Sequence, residues 1–323
     1  MAETLYYTYL DEAKKTTLTK EFELQKKVVP NFYGITSITF EQKYYIEIFE
    51  VLWLEFRQKH GVPDNECMHF VEYRKLWNPA DREKSSVYER YCRDGIFNEN
   101  CLLEFFQDLH DLLLQADFYL VYTDRYFYSR KYMDKEGNET KKRSEIGKKT
   151  LYRLPYVVMK KHLDSLLKSL LIDPASGLLS DKRIRQVSTK LRFDADGKDF
   201  DGKIDLKMAY HHVMATGSER VNTKAANELL DEIRFIRKEE VGTHCEPSHA
   251  GLEVVDFICS LLASDIRYNF FLNKVNAKDQ LISSEEKDKH DYLVFKASTG
   301  KLIDFTQLFH SKLKYSNICE EEL

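Results

Sequence analysis

An acidic residue inside an apolar segment is the first sign of chemistry in this chain. Residues 251–262 read Gly-Leu-Glu-Val-Val-Asp-Phe-Ile-Cys-Ser-Leu-Leu, with Asp256 in the middle. The pattern predicts a helix over about 248–271 that is apolar almost all round. A carboxylate in such surroundings is costly unless a cation or another close partner compensates it. Asp256 is therefore a candidate site residue.

Acidic residues also follow two predicted strands. Asp11 and Glu12 end a strand at 5–10, and since successive side chains point to opposite faces, only one can enter a given site. Asp11 is the preferred one. A second group follows a strand at 186–193 and comprises Asp194, Asp196, Asp199, Asp201 and Asp205. Solvated turns are the alternative explanation of both groups.

The second acidic group does not form a calcium loop of the EF-hand type. Such a loop starting at Asp194 needs an oxygen ligand at its fifth position and glycine at its sixth. Those positions are Lys198 and Asp199. The chain also has no G-x-S-x-G elbow, Walker loop or dinucleotide fingerprint, which argues against the corresponding hydrolases, kinases and dehydrogenases.

His69 is a candidate proton carrier. It lies in an alternating segment shortly after Glu66. A lone histidine is more often a satisfied structural residue than a ligand or a base, and this is the alternative explanation of His69.

A basic and aromatic stretch at 125–149 has nine Lys or Arg residues against four acids and is interrupted by Gly137-Asn138. It predicts a projecting hairpin or loop. Cationic side chains interleaved with rings are suited to nucleic-acid backbones and bases. The candidate binding residues are Arg125, Arg130, Lys131, Lys141, Lys142 and Arg143. A solvated surface hairpin is the alternative.

Predicted strands alternate with predicted helices along the chain. The extended segments are 5–10, 32–40, 68–73, 118–123, 186–193 and 292–296. The helices are at about 42–60, 102–116, 154–171, 204–216, 223–235 and 248–271. Strands followed by helices, with acids at two strand ends, favour an α/β sheet whose site lies at the carboxyl ends of the strands.

The composition, 43% hydrophobic and 32% charged residues, is that of an ordered globular protein. The formal charge of -4 provides no global attraction for nucleic acid, so any such binding must be local. Six cysteines lack metal-ligand spacing, and the sequence shows neither a secretory leader nor an apolar run of about 20 residues. These features predict a reduced, cytoplasmic protein that does not enter a membrane.

The order of these motifs resembles the bacterial and phage family called domain of unknown function 3800. The matching pieces are Tyr9-Leu10-Asp11-Glu12 at the opening, Glu66-Cys67-Met68-His69, Asp124-Arg125, Asp194 to Asp201, and Ser248 to Asp256 at the close. The likeness spans about 5–272. Ala13-Lys14 replaces the family's Ser-Gly, Asp194 its usual Glu, and Glu253 and Val255 its Gln and Ala.

The resemblance implies a ribonuclease H-like fold, with a mixed five-stranded sheet flanked by helices. It further implies a cage of Asp11, Asp194 and Asp256 around Mg²⁺ or Mn²⁺, with Glu12 or Asp201 as a fourth ligand and His69 as a proton shuttle. Such a cage would cleave phosphodiester bonds, because divalent ions activate a water and stabilise the leaving oxygen. The expected domain is 1–275, with 276–323 as a C-terminal appendage.

Two other functions are compatible with the same residues. The chain could be a non-catalytic nucleic-acid or protein interaction module of a phage-defence or mobile-element system, which the altered opening motif favours. It could also hydrolyse a nucleotide or another small phosphate ester. The sequence does not choose between DNA and RNA and does not indicate an oligomeric state.

Overall fold

The structure, a computed structural model, describes residues 4–15, 30–128, 142–194, 200–236, 250–278, 293–296 and 302–322. The chain forms two compact units that interleave along the sequence. The first comprises Met1–Thr39, Leu120–Arg237 and Lys314–Leu323, and the second Phe40–Tyr119 and Lys238–Leu313.

Six strands form the large sheet of the first unit: β1 Thr4–Lys15, β2 Pro30–Glu41, β3 Tyr119–Tyr128, β4 Val187–Asp194, β5 Leu230–Ile236 and β6 Leu313–Glu322. Their order in the sheet is β6-β3-β2-β1-β4-β5. Strand β4 runs parallel to both neighbours, β1 and β5. It is buried at all but one of its positions, as expected for a parallel strand inside a sheet.

The helices, in chain order, are α1 Glu50–Lys59, α2 Phe70–Trp77, α3 Glu99–Gln115, α4 Lys142–Leu171, α5 Phe200–Thr216, α6 Thr223–Leu229, α7 Ala250–Lys278 and α8 Phe305–Lys312. Helical Gln42–Tyr44 and the π-helical segment Tyr45–Phe49 run directly into α1. Short 3₁₀ turns occur at Arg82–Lys84, Tyr88–Tyr91 and Asp181–Arg185. Two small hairpins pair Cys92–Arg93 with Ile96–Phe97 and Val294–Lys296 with Leu302–Asp304.

Within the described ranges, no helix is both long and apolar enough to cross a membrane.

The predicted α/β class is confirmed, as a mixed six-stranded sheet flanked by helices. The predicted count of five strands is wrong because Leu313–Glu322, inside the expected appendage, pairs with β3 as an edge strand. The predicted hairpin at 125–149 also differs in part. Strand β3 continues to Tyr128 and α4 begins at Lys142, and 129–141 lies outside the described residues.

Two local predictions are wrong for the same reason. The apolar pattern of each segment fits both the period of a helix and the period of a strand. Residues 68–73 were expected to be extended, but Phe70, Tyr73 and Leu76 recur at helical spacing and are the buried side of α2. Conversely, the helix expected over 223–235 ends at Leu229, and the chain continues as β5, which pairs with β4. Pairing with a neighbouring strand decides such a case, and that partner is distant in sequence.

A line of threonines crosses the middle of the sheet. The Thr8 hydroxyl on β1 lies 3.0 Å from that of Thr39 on β2 and 2.8 Å from that of Thr189 on β4. All three are at most 1% exposed. The hydroxyls satisfy one another where water is excluded, so the three central strands are joined through side chains as well as backbone.

The second unit has an aromatic core centred on Phe105 of α3, which is fully buried. Among the described residues six rings pack around it, from Phe56, His60 at the end of α1, Tyr73, Tyr91, Phe106 and Phe257. Because these rings come from α1, α2, the turn before the first small hairpin, α3 and α7, one side chain ties together the elements of this unit.

A histidine is enclosed in the core of the first unit. His162 on α4 is 0% exposed, and its Nδ1 lies 3.3 Å from the Thr123 hydroxyl on β3. Its Nε2 has no hydrogen-bond partner among the described residues. Burial disfavours the imidazolium and lowers the pKa of His162 from 6.5 to about 3.

We therefore expect His162 to make the free energy of unfolding depend on pH. The folded state stays neutral down to about pH 3, whereas the unfolded chain takes up a proton near 6.5. Its contribution is complete above pH 6.5 and falls with a slope of up to about 1.4 kcal/mol per pH unit as the pH drops toward 3. His162→Asn should reduce the pH dependence of the free energy of unfolding, measured by urea denaturation between pH 6 and 4. His211→Asn, at an exposed position, should leave that dependence unchanged. Equal slopes in both variants and the wild type would contradict the assignment.

Candidate active site at the strand ends

Two aspartates come together where the pairing of β1 with β4 ends. The parallel register pairs Leu10 with Phe193, so the next residues, Asp11 and Asp194, occupy neighbouring positions. Residues paired in this way point to the same face of a sheet, and adjacent strands are about 4.8 Å apart. Asp194 is 8% exposed and Asp11 is half-buried. The two carboxylates thus share one face and one edge.

Glu12 points to the other face of β1. Its carboxylate accepts a hydrogen bond from the Tyr33 hydroxyl on β2, and Lys14 Nζ lies 3.1 Å from its Oε1. The Glu12 backbone N–H donates to Asp11 Oδ1 at 2.8 Å. Strand alternation therefore separates the roles of the acidic pair: Asp11 shares a face with Asp194, and Glu12 interacts with Tyr33 and Lys14.

Asp124 is a further acid of the sheet, and in the sequence it stands out only as part of the Asp124-Arg125 pair. It is 1% exposed on β3 and accepts a hydrogen bond from the Tyr122 hydroxyl at 2.9 Å. Gly34 on β2 makes room for this pair, since a Cβ there would lie 3.0 Å from that hydroxyl. Strands β3 and β1 are separated by β2, about 10 Å in all, so Asp124 is not an immediate neighbour of Asp11.

Asp256, in the second unit, is half-buried rather than enclosed. Its side chain is 17% exposed, and its Oδ2 accepts from the backbone N–H of Phe70 at 3.2 Å. His69 Nδ1 lies 3.8 Å from the same oxygen, and the His69 side chain is 36% exposed. Asp256 therefore stabilises the start of α2, where a negative charge is favourable, and its separation from His69 is too long for a hydrogen bond.

The buried acid of α7 is Glu253. Its side chain is 3% exposed and accepts from Arg57, from the Met68 N–H at 2.8 Å and from the Trp53 indole N–H at 2.6 Å. Arg57 also donates to the backbone oxygens of Pro63 and Glu66, at 2.7 and 2.5 Å. This network joins α1, α7 and the segment before α2.

Glu253 explains why an acid is tolerated in so apolar a helix. Its charge is compensated by a guanidinium and its oxygens by protein donors, so this carboxylate requires no metal ion. The fully buried acid of this helix is thus Glu253, whereas Asp256, which was expected to be enclosed, keeps partial contact with solvent. The polar stripe Glu253, Asp256, Ser260 and Ser264, spaced by three or four residues, was the available signal.

The structure describes the predicted nucleic-acid-binding residues and Asp201 only in part. Arg130, Lys131 and Lys141 lie outside the described residues, and the side chains of Lys142, Arg143 and Asp201 are not described although their backbones belong to α4 and α5. Arg125 is half-buried on β3. Among the residues that are described, no group of three or more His, Cys, Asp or Glu side chains has the spacing of a metal centre.

The Arg57–Glu253 pair should be strongly coupled. Replacing either partner alone, as Arg57→Met or Glu253→Leu, leaves the other charge buried and should cost about 3–5 kcal/mol. The double variant should be less destabilised than the sum, with a coupling energy of about 1–3 kcal/mol from urea denaturation. The exposed pair Lys84 and Asp81 is the control and should show much weaker coupling. Additive effects at Arg57 and Glu253 would show that the pair is not a buried unit.

Comparison with known proteins finds no matching family model, no matching curated protein and no matching solved structure.

Proposed function

We propose that the protein is a divalent-metal-dependent phosphodiesterase that acts on nucleic acid. The observation that supports this function is the juxtaposition of Asp194, at the carboxyl end of β4, with Asp11, which follows the last β1 residue paired with β4. Ligand sites of open α/β sheets occur at such strand ends. The mixed, helix-flanked sheet is also compatible with the ribonuclease H-like fold that the sequence resemblance implies.

The carboxylate pair fits a hard divalent cation. Two like charges about one strand spacing apart repel each other, and a shared cation removes that repulsion. Mg²⁺ is commonly bound through one or two carboxylates, with waters and substrate phosphate oxygens completing its coordination. Asp11 and Asp194 are thus sufficient as protein ligands.

In the proposed cleavage of a phosphodiester bond, the metal ion and the side chains would have different roles. A bound divalent ion lowers the pKa of a coordinated water and offsets charge on the leaving oxygen. Asp11 and Asp194 would hold such an ion, because both extend from strands whose register is set by the sheet. The catalytic roles expected for Asp256 and His69 stay predictions of the sequence.

A non-catalytic nucleic-acid-binding module is the second candidate. It is favoured by the altered opening motif, in which Ala13-Lys14 stands where the resembled family has Ser-Gly. Binding of oligonucleotides without cleavage, in the presence of Mn²⁺, would support the module and contradict the enzyme.

We expect Asp11→Asn and Asp194→Asn to abolish the effects of the metal. Millimolar Mn²⁺ should raise the Tm of the wild type but not of either variant, since binding to the folded state alone is stabilising. Each variant should lower cleavage of single-stranded or duplex DNA or RNA more than about 100-fold, because loss of an outer-shell partner alone costs 10–100-fold.

The matched control for this experiment is Asp231→Asn. Asp231 belongs to β5 of the same sheet, and its side chain is 50% exposed. This variant should keep both the Tm shift and the cleavage. An unchanged wild-type Tm at saturating Mg²⁺ and Mn²⁺, or full cleavage by Asp194→Asn, would eliminate the proposed site.

A further inference from the structure

Lys203 on α5 is a buried cation with an aromatic ring as its neighbour. The residue is 9% exposed, and its Nζ lies 4.6 Å from the centroid of the Phe193 ring on β4. Across the described residues it makes no salt bridge and no side-chain hydrogen bond. A buried ammonium without a counter-ion is unfavourable, so an anion is the expected complement.

A second lysine repeats the arrangement one helical turn later. Lys207 Nζ lies 4.8 Å over the Phe235 ring on β5. Phe193 and Phe235 are paired in register, and their rings stack with centroids 5.7 Å apart. Side chains four residues apart lie on one face of a helix, so the two positive charges face the same stacked rings. Like charges at this spacing repel unless an anion lies near both.

The rings do not replace an anion. A ring face attracts an ammonium through its quadrupole but has no net charge, so the pair keeps its positive charge. Lysine side chains on a helix lean toward its N-terminus, where the helix dipole also favours anions. Lys203 is the fourth residue of the 17-residue helix α5, so both effects act at the same end.

We propose that Lys203, assisted by Lys207, binds a backbone phosphate of a nucleic acid. The site is distinct from the acidic pair, since Phe193 and Asp194 are consecutive residues of β4 and point to opposite faces. The class of anion rests on the proposed function, because a phosphodiester chain that reaches Asp194 presents further phosphates nearby. The binding itself requires no metal ion and can be measured in EDTA.

The first test uses inorganic phosphate in EDTA. Phosphate should raise the wild-type Tm by about 2–4 °C and leave the Tm of Lys203→Met unchanged. Without phosphate, Lys203→Met should be at least as stable as the wild type, since methionine fills similar space without a buried charge. A phosphate-dependent rise of equal size in both proteins would overturn the site.

The second test uses the salt dependence of binding to a labelled single-stranded oligonucleotide, again in EDTA. For one lost phosphate contact, Lys203→Met should reduce the slope of log Kd against log salt by about 0.7. Lys203→Arg, which keeps the charge, should preserve the slope, as should Lys224→Met at an exposed lysine on α6. An equal reduction in Lys224→Met would mean general electrostatic attraction and contradict a specific site.

The two proposals can fail separately. If Mn²⁺ has no effect but the Lys203 variant loses phosphate and oligonucleotide binding, the phosphate site stands and the metal site does not. If Lys203→Met loses the response to inorganic phosphate but binds the oligonucleotide with the wild-type slope, the anion is a free phosphate, and the assignment to nucleic acid is wrong.

Discussion

The register of β1 against β4 is the constraint on which the proposed site depends. Parallel pairing aligns Leu10 with Phe193, and only this alignment places Asp11 and Asp194 side by side on one face. A slip of one residue would move every side chain of one strand to the opposite face. The hydrogen-bonded hydroxyls of Thr8 and Thr189 lie within the same pair of strands at 2.8 Å, and a shift would break this buried hydrogen bond.

The cores of the two strands could be predicted because the information is local: alternating or β-branched residues define β1 and β4 without reference to the rest of the chain. Strand β4 ends at Asp194 as predicted, but β1 continues past Asp11 and Glu12 to Lys15, so the prediction that these acids end it was wrong. The identity of the buried acid on α7 was not available in this way. Glu253 is compensated by Trp53 and Arg57 of α1, almost 200 residues earlier, and a helix that is apolar nearly all round does not reveal which partner it faces.

The same distinction explains the misassigned segments. Strand β5 and the edge strand β6 exist because a neighbouring strand offers hydrogen bonds, and their sequences alone fit a helix or a charged tail equally well. Helix α2 begins where Asp256 accepts from the N–H of Phe70, again a partner far along the chain. Long-range pairing thus decided the elements that local patterns left ambiguous.

The buried side chains of Glu253 and Lys203 differ in the groups that compensate their charges. Glu253 has a guanidinium and two further donors around it, so replacing Glu253 should lower the stability of the fold. Lys203 has the face of a ring, which leaves its charge for a ligand. A polyanionic substrate is repelled by an acidic pair and attracted by lysines. In the proposed enzyme, Lys203 and Lys207 would supply the affinity on one face of β4, and Asp11 and Asp194 would supply the chemistry on the other. An enzyme and a binding module would then share the lysines and differ only in whether Asp11 and Asp194 hold a metal ion.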